Sequence, residues 1–219
     1  VVQNTVELDE VNFPINRRSI HKEPHTWPSL LGQQGIHWDV IGNLNTEPVD
    51  QHSATLRAKK AMATLLFVSG QAMSDIEVTM GQHGGAFGGS AGPIRSVSSR
   101  AADLIGVAAR VAEILHPQLD LSERVQKLAV RLTYGVPGTV VDLAREAGGN
   151  LTRGEYCALV EARLEVVAAI ESASDADILR VLDQDDEKLS IVRKAAQSAA
   201  ERKSKAAATP LPAIPQFVA

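Results

Sequence analysis

One stretch constrains this chain more than any other. Residues 93–115 keep apolar side chains at helical spacing for about six turns. At about 100° per residue, Ile94, Val97, Ala101, Leu104, Ile105, Ala108, Val111, Ala112 and Leu115 share one broad face. A rod with one such face must bury it against other elements. His116-Pro117 ends it, because the residue before a proline is pushed out of helical geometry. Alanine is abundant and aromatics make up only 4%, which favours close-packed helices over a sandwich or barrel. The expected fold class is therefore mainly α, a helical bundle.

The rest of the chain from Ser53 onward follows the same period. Residues 54–69 carry Leu56, Ala61, Leu65, Leu66 and Val68 and stop at Gly70, a C-terminal signal. Ser74-Asp75-Ile76-Glu77 reads as a capping box opening a short helix through Met80, and residues 81–90 read as a glycine-rich turn. A second amphipathic helix covers about 122–134, with Val125, Leu128, Ala129 and Leu132 inward and Tyr134-Gly135-Val136-Pro137 as its stop. Helices at about 138–147, 152–163, 165–172, 175–183 and 186–202 follow, Thr152-Arg153-Gly154-Glu155 capping the second of them. Residues 203–219, with Pro210, Pro212 and Pro215, read as a disordered tail. Residues 1–52 differ: they hold Pro14, Pro24, Pro28 and Pro48, both tryptophans, one strand over Val1 to Leu8 and a short helix within 29–44. They read as an irregular lead-in that packs against something, a further domain included.

Charge and cysteine usage exclude several function classes. The formal charge is −4, so any nucleic-acid contact must come from a local arrangement of arginines. The single Cys157 allows no internal disulfide and reads as a buried inert thiol. No apolar run reaches the roughly 18 residues of a membrane span and no signal peptide is evident, so the expected home is cytoplasmic with no membrane partner. An opening Val1 in place of methionine suggests a piece of a longer chain.

No candidate for catalysis survives. A phosphate-binding loop needs lysine and a hydroxyl residue after its last glycine, and no lysine occurs between Lys60 and Lys127. Asp9-Glu10-Val11-Asn12 echoes an acidic metal-binding motif, but no such loop precedes it to hold a nucleotide. His21 and His25 flank Pro24, which breaks a shared helix face, so no metal site is assigned. We assign no catalytic residue, no metal and no cofactor to this chain.

The face of the long helix opposite its apolar side carries more information. Arg95, Ser99, Ala102, Gly106 and Arg110 fall in one stripe, small residues between two arginines about four turns apart. Two readings stand side by side. In one, a flat floor with cations at both ends lets a phosphate backbone pass closely. In the other, the small residues pack against a neighbouring helix and the arginines sit at its solvated rim. Arg124, Lys127 and Arg131 on the next helix face either phosphate or water.

The order of elements from about Ser53 to Leu164 resembles the C-terminal region of DExH superfamily-two helicases of the archaeal repair and polymerase-theta kind. Leu65-Leu66-Phe67-Val68-Ser69-Gly70 with Ser74-Asp75-Ile76-Glu77 is similar to their winged-helix domain. Gly92-Pro93-Ile94-Arg95, opening a helix that ends Ala109-Arg110-Val111-Ala112-Glu113-Ile114-Leu115, looks like their ratchet helix. Arg131-Leu132-Thr133-Tyr134-Gly135-Val136-Pro137 with Val141-Asp142-Leu143, and then Leu159-Val160-Glu161-Ala162-Arg163-Leu164, resemble the run into their helix-hairpin-helix and its last helix. About half of the chain is covered.

The resemblance implies a winged-helix-like segment at 53–90, a long ratchet-like helix bundle at 91–136 and a degenerate helix-hairpin-helix with C-terminal helices at 137–202. It also implies a role: an accessory nucleic-acid-tracking module of an ATP-dependent helicase, its motor domains on the same gene or another chain. The implied partner is single-stranded DNA, RNA not being distinguished, and the implied contacts are Arg95, Ser99, Arg110 and Arg153. In that family the ratchet arginine is followed two turns later by a stacking tryptophan; Arg95 matches the first, but the second falls on Ala102. The two hairpin glycines correspond to Asn150 and Thr152. These departures imply weak, phosphate-led contact or a module retained mainly as structure. The competing function is a helical protein-interaction scaffold, suggested by the acidic balance and the two tryptophans of the lead-in. A winged-helix regulator of duplex DNA comes last, because residues 74–80 hold Asp75 and Glu77 and no basic side chain.

Overall fold

A computed structural model describes residues 2–15, 23–45, 50–84 and 91–208. The chain is mainly helical, and among the described residues there is no strand. It divides into two compact units, Val1–Val141 and Asp142–Ala219.

In the first unit the helices are α1 (Val6–Asp9), α2 (Glu23–Gln33), α3 (Trp38–Gly42), α4 (Gln51–Val68), α5 (Met73–Gly84), α6 (Ala91–Leu115) and α7 (Ser122–Tyr134). The hub is α4, which packs against α1, α2, α5, α6 and α7. Asp50 starts it by accepting the Ser53 amide at 2.8 Å, and Gly70 ends it at φ 84°. Its Met62, Ala63, Leu66, Phe67 and Val68 join Trp27, Leu31, Ile76, Met80, Ile94, Val97 and Leu132 in one core. Each large side chain buried there contributes about 1.5–3 kcal/mol. Ser98, buried inside α6, donates to the Leu132 carbonyl at 2.7 Å and ties α6 to α7.

The opening residues correct the expectation of a strand: Val2–Asn4 form a 3-10 turn and Val6–Asp9 a helical turn. The β-branched residues there favour extended chain locally, but long-range partners decide the outcome. Arg57 holds the Asp9 carboxylate through Nε at 2.8 Å and Nη2 at 2.5 Å. The buried Lys60 ammonium donates to the Leu8 carbonyl at 2.6 Å and the Asp9 carbonyl at 3.1 Å. Much of the lead-in that is described is helical and packed, with residues 11–15 irregular. Its Leu8, Phe13, Trp27, Leu31, Ile41 and Leu44 belong to the core, so what it packs against is α4 and its neighbours. Trp27 Nε1 and Lys59 Nζ both donate to Glu23 Oε2, at 2.8 and 3.1 Å, and both charged side chains are 0% exposed. Burial pushes the Lys59 ammonium below the ordinary lysine range, with the Glu23 carboxylate pulling the other way.

Two further expectations change. Ser74 lies inside α5 rather than capping it, since Ala72 supplies the carbonyl that the Asp75 and Ile76 amides reach. Glu77 accepts instead from the Ala91 amide at 2.9 Å, at the start of α6. The helix continues to Gly84, into the segment read as a turn, and residues 85–90 lie outside the described residues. On α6 the apolar face is buried only in part: Ile94, Val97 and Ala101 are buried, whereas Val111 is 50% and Leu115 69% exposed. Gln3, together with Leu121 and Val125 at and just before the start of α7, lines a surface groove at that end of the helix.

The second unit holds α8 (Val141–Ala147), which spans the division, α9 (Arg153–Glu161), α10 (Val167–Ser172), α11 (Asp175–Val181) and α12 (Asp186–Ala208). Pro137 stands before a 3-10 turn at Gly138–Val140 that leads into α8. The last helix runs to Ala208, so residues 203–208, expected in a disordered tail, are helical, and residues 209–219 lie outside the described ones. Arg193 of α12 organises the α10–α11 corner: its guanidinium donates to the Ala173 carbonyl at 2.8 Å, to the Ile170 carbonyl, and to Asp175 Oδ1 at 3.0 Å through Nε. Arg193→Lys keeps the charge but loses the fork, so it is expected to cost about 2 kcal/mol in urea unfolding. A loss below about 0.5 kcal/mol would show the corner to be held by packing alone.

Candidate nucleic-acid interface

The four proposed contacts do not share one setting. Arg95 and Ser99 are exposed on α6 and line one shallow depression of about 470 Å³ with Val11, Ser96, Arg100 and Asp103. Further along the stripe Ala102 packs against the core, while Gly106 is exposed and a Cβ there would meet nothing within 4 Å. Arg110 is exposed but lies outside the depression, and its Nη1 is 3.4 Å from Glu113 Oε2. Glu113 is itself positioned by the Leu121 amide, which donates to its other oxygen at 3.2 Å. The stripe is therefore open along most of its length, with its uncompensated positive charge gathered at the Arg95 end. Neither Arg95 nor Arg100 has an ion-pair partner among the described residues.

Ser96 and Arg100 escaped the sequence reading. They follow Arg95 and Ser99 by one residue each, about 100° round the helix, and join them only because Val11 closes the depression from another segment. Of the cations on α7, Arg131 is structural, donating to the Val68 carbonyl at 3.0 Å and the Val136 carbonyl at 3.4 Å. Lys127 pairs with Glu123 at 3.3 Å, and Arg124 is exposed.

Arg153 belongs to the second unit, at the first position of α9, and is half-buried. The capping box expected there is present. Thr152 Oγ1 accepts the Glu155 amide at 3.3 Å, and Glu155 Oε2 accepts the Thr152 amide at 2.7 Å. Both are amides that an anion at this helix start would otherwise meet. Burial raises the Glu155 carboxyl pKa, but hydrogen bonds from Lys188, at 2.6 Å, and from Thr152 outweigh it and hold the group below its usual range. Neither Asn150 nor Thr152 adopts the left-handed conformation; Gly148 does, at φ 58°. The exposed Asn150 donates back to the Ala147 carbonyl at 2.8 Å.

Other titratable groups serve the fold. Asp9 is held by Arg57, and burial pushes the half-buried Cys157 thiol up, away from the reactive thiolate. Among the described residues no helix is long and apolar enough to cross a membrane. No family model matches the chain, and no curated protein is significantly similar to it.

Proposed function

We propose that this chain is an accessory module of an ATP-dependent superfamily-two DNA helicase, contacting the unwound single strand through its phosphates. In this reading α4 and α5 stand for the winged-helix segment, α6 for the ratchet helix, and α8 with α9 for a degenerate helix-hairpin-helix. The motor domains lie elsewhere, on the same gene or another chain. The observation that carries the reading is the 25-residue α6, whose N-terminal half is anchored in the core while its opposite face stays open, with Arg95 and Ser99 exposed. A buried helix with an exposed cationic side lets a strand slide past without rearranging the bundle.

The test is strand binding by the full chain. Arg95→Ala is expected to weaken affinity for a labelled oligothymidylate roughly three- to five-fold and to lower the salt slope by about 0.7. Arg110→Ala is expected to do less, because Glu113 already offsets that charge. Fluorescence anisotropy at several salt concentrations reads both. Unchanged binding in both variants rejects the tracking role.

A second reading, a protein-interaction scaffold, is favoured by one observation. Val107, Val111, Ile114 and Leu115 are all at least half exposed on α6, and Trp38 is 63% exposed on α3. A stoichiometric protein partner combined with no affinity for strands would select it.

A further inference from the structure

We infer that the depression formed by Arg95, Ser96, Ser99 and Arg100 seats a phosphodiester of the strand and reads no base. The inference rests on the helicase-module reading and assigns its anchoring point. The four side chains occupy positions i, i+1, i+4 and i+5 of α6, so they come from two successive turns and converge on one hollow. Two guanidiniums present planar donor forks, and two hydroxyls rotate to meet the remaining oxygens. Arg95 and Arg100 are exposed and unpaired among the described residues, so an arriving anion displaces no carboxylate from them. Asp103, one turn further on, repels an anion from that rim and favours a seat toward Arg95. The remaining wall is Val11. Among the described residues no aromatic side chain lines the hollow, so none of them stacks a base there.

This separates two kinds of strand. A chain of abasic phosphodiesters should bind as well as oligothymidylate. The experiment measures anisotropy of the full chain with each labelled strand at low salt, for the native sequence, Arg100→Ala and Ser96→Asp, with chemical shifts of the arginine Nε–H groups followed during titration with orthophosphate. The expected result is affinities for the two strands within about two-fold, and a loss of roughly three- to five-fold for both in Arg100→Ala, with the salt slope reduced by about 0.7. Ser96→Asp, which places a negative charge in the hollow, should weaken both at least as much. Oligothymidylate bound ten-fold tighter than the abasic strand would overturn the inference, since bases would then carry the affinity. Arg100→Ala without effect, while Arg95→Ala still weakens binding, would overturn the phosphate seat and leave the tracking role standing. Orthophosphate shifts at Arg95 and Arg100 with no strand bound would assign the hollow to a free anion instead. Silence of both strands, with Arg95→Ala and Arg110→Ala equally silent, would remove the tracking role and the seat together.

Discussion

Gly135→Ala is expected to lower stability by about 3 kcal/mol, one of the two largest effects of any single substitution considered for this chain. Gly135 caps α7 at φ 66° and ψ 44°, its amide donating to the Arg131 carbonyl at 2.8 Å. An alanine in that left-handed conformation costs about 1 kcal/mol on backbone grounds. Packing adds more: a Cβ would lie 2.6 Å from Phe67 Cε1 and closer still to Cζ. Phe67 is buried in the last turn of α4, its ring enclosed by the core, and overpacking of this kind costs about 1–3 kcal/mol. Urea unfolding reads the total. Phe67→Leu in the same chain makes room for the methyl, so it should recover part of what Gly135→Ala loses despite its own cost. A loss of less than about 1 kcal/mol for Gly135→Ala would mean that the α4–α7 contact is looser than the geometry implies.

The second large effect belongs to the buried pair beneath α2. Lys59→Met should destabilise by about 3–5 kcal/mol, because the Glu23 carboxylate would stay behind in the core with, among the described residues, the Trp27 N–H as its remaining partner. Adding Glu23→Gln removes the stranded charge and keeps an acceptor for Trp27. The double variant should therefore regain at least half of the loss. Its partner energetics are a matter of coupling: the two changes must be far from additive. If single and double variants melt alike, Lys59 contributes through the packing of its stem rather than through its charge.

These two sites show where reading residues in order succeeds and where it stops. Local rules recovered what is local. Ser122–Tyr134 was legible end to end because its apolar period is closed by Gly135, and the Thr152–Glu155 box was legible because both partners lie within four residues. Long-range chemistry was invisible. Arg57, Lys59 and Lys60 look like a solvated basic run, yet each is buried against residues 36 to 52 positions away. Those same contacts turned the expected strand at the start into helix. Ser74 failed as a cap because the helix begins before it, with Ala72 supplying the first carbonyl. Val111 and Leu115 failed as core because periodicity tells which face of a helix is apolar, not whether anything lies opposite it. Of the candidate interface, Arg95 and Ser99 were legible from α6 alone. Ser96 and Arg100 were not, since the hollow they share exists only once Val11 is folded beside them.

The engagement of Lys60 by two main-chain oxygens has a consequence for how the molecule is trimmed. An ammonium held by peptide carbonyls does not depend on which side chains occupy positions 8 and 9, only on the chain being there and being coiled. Substitutions that keep the coil leave this contact in place where deletion removes it, although Leu8 in the core and Asp9 on Arg57 carry costs of their own. Shortening the protein past Asp9 would leave the inner side of α4 with a cation facing empty space. The opening residues thus act as a stopper for the bundle.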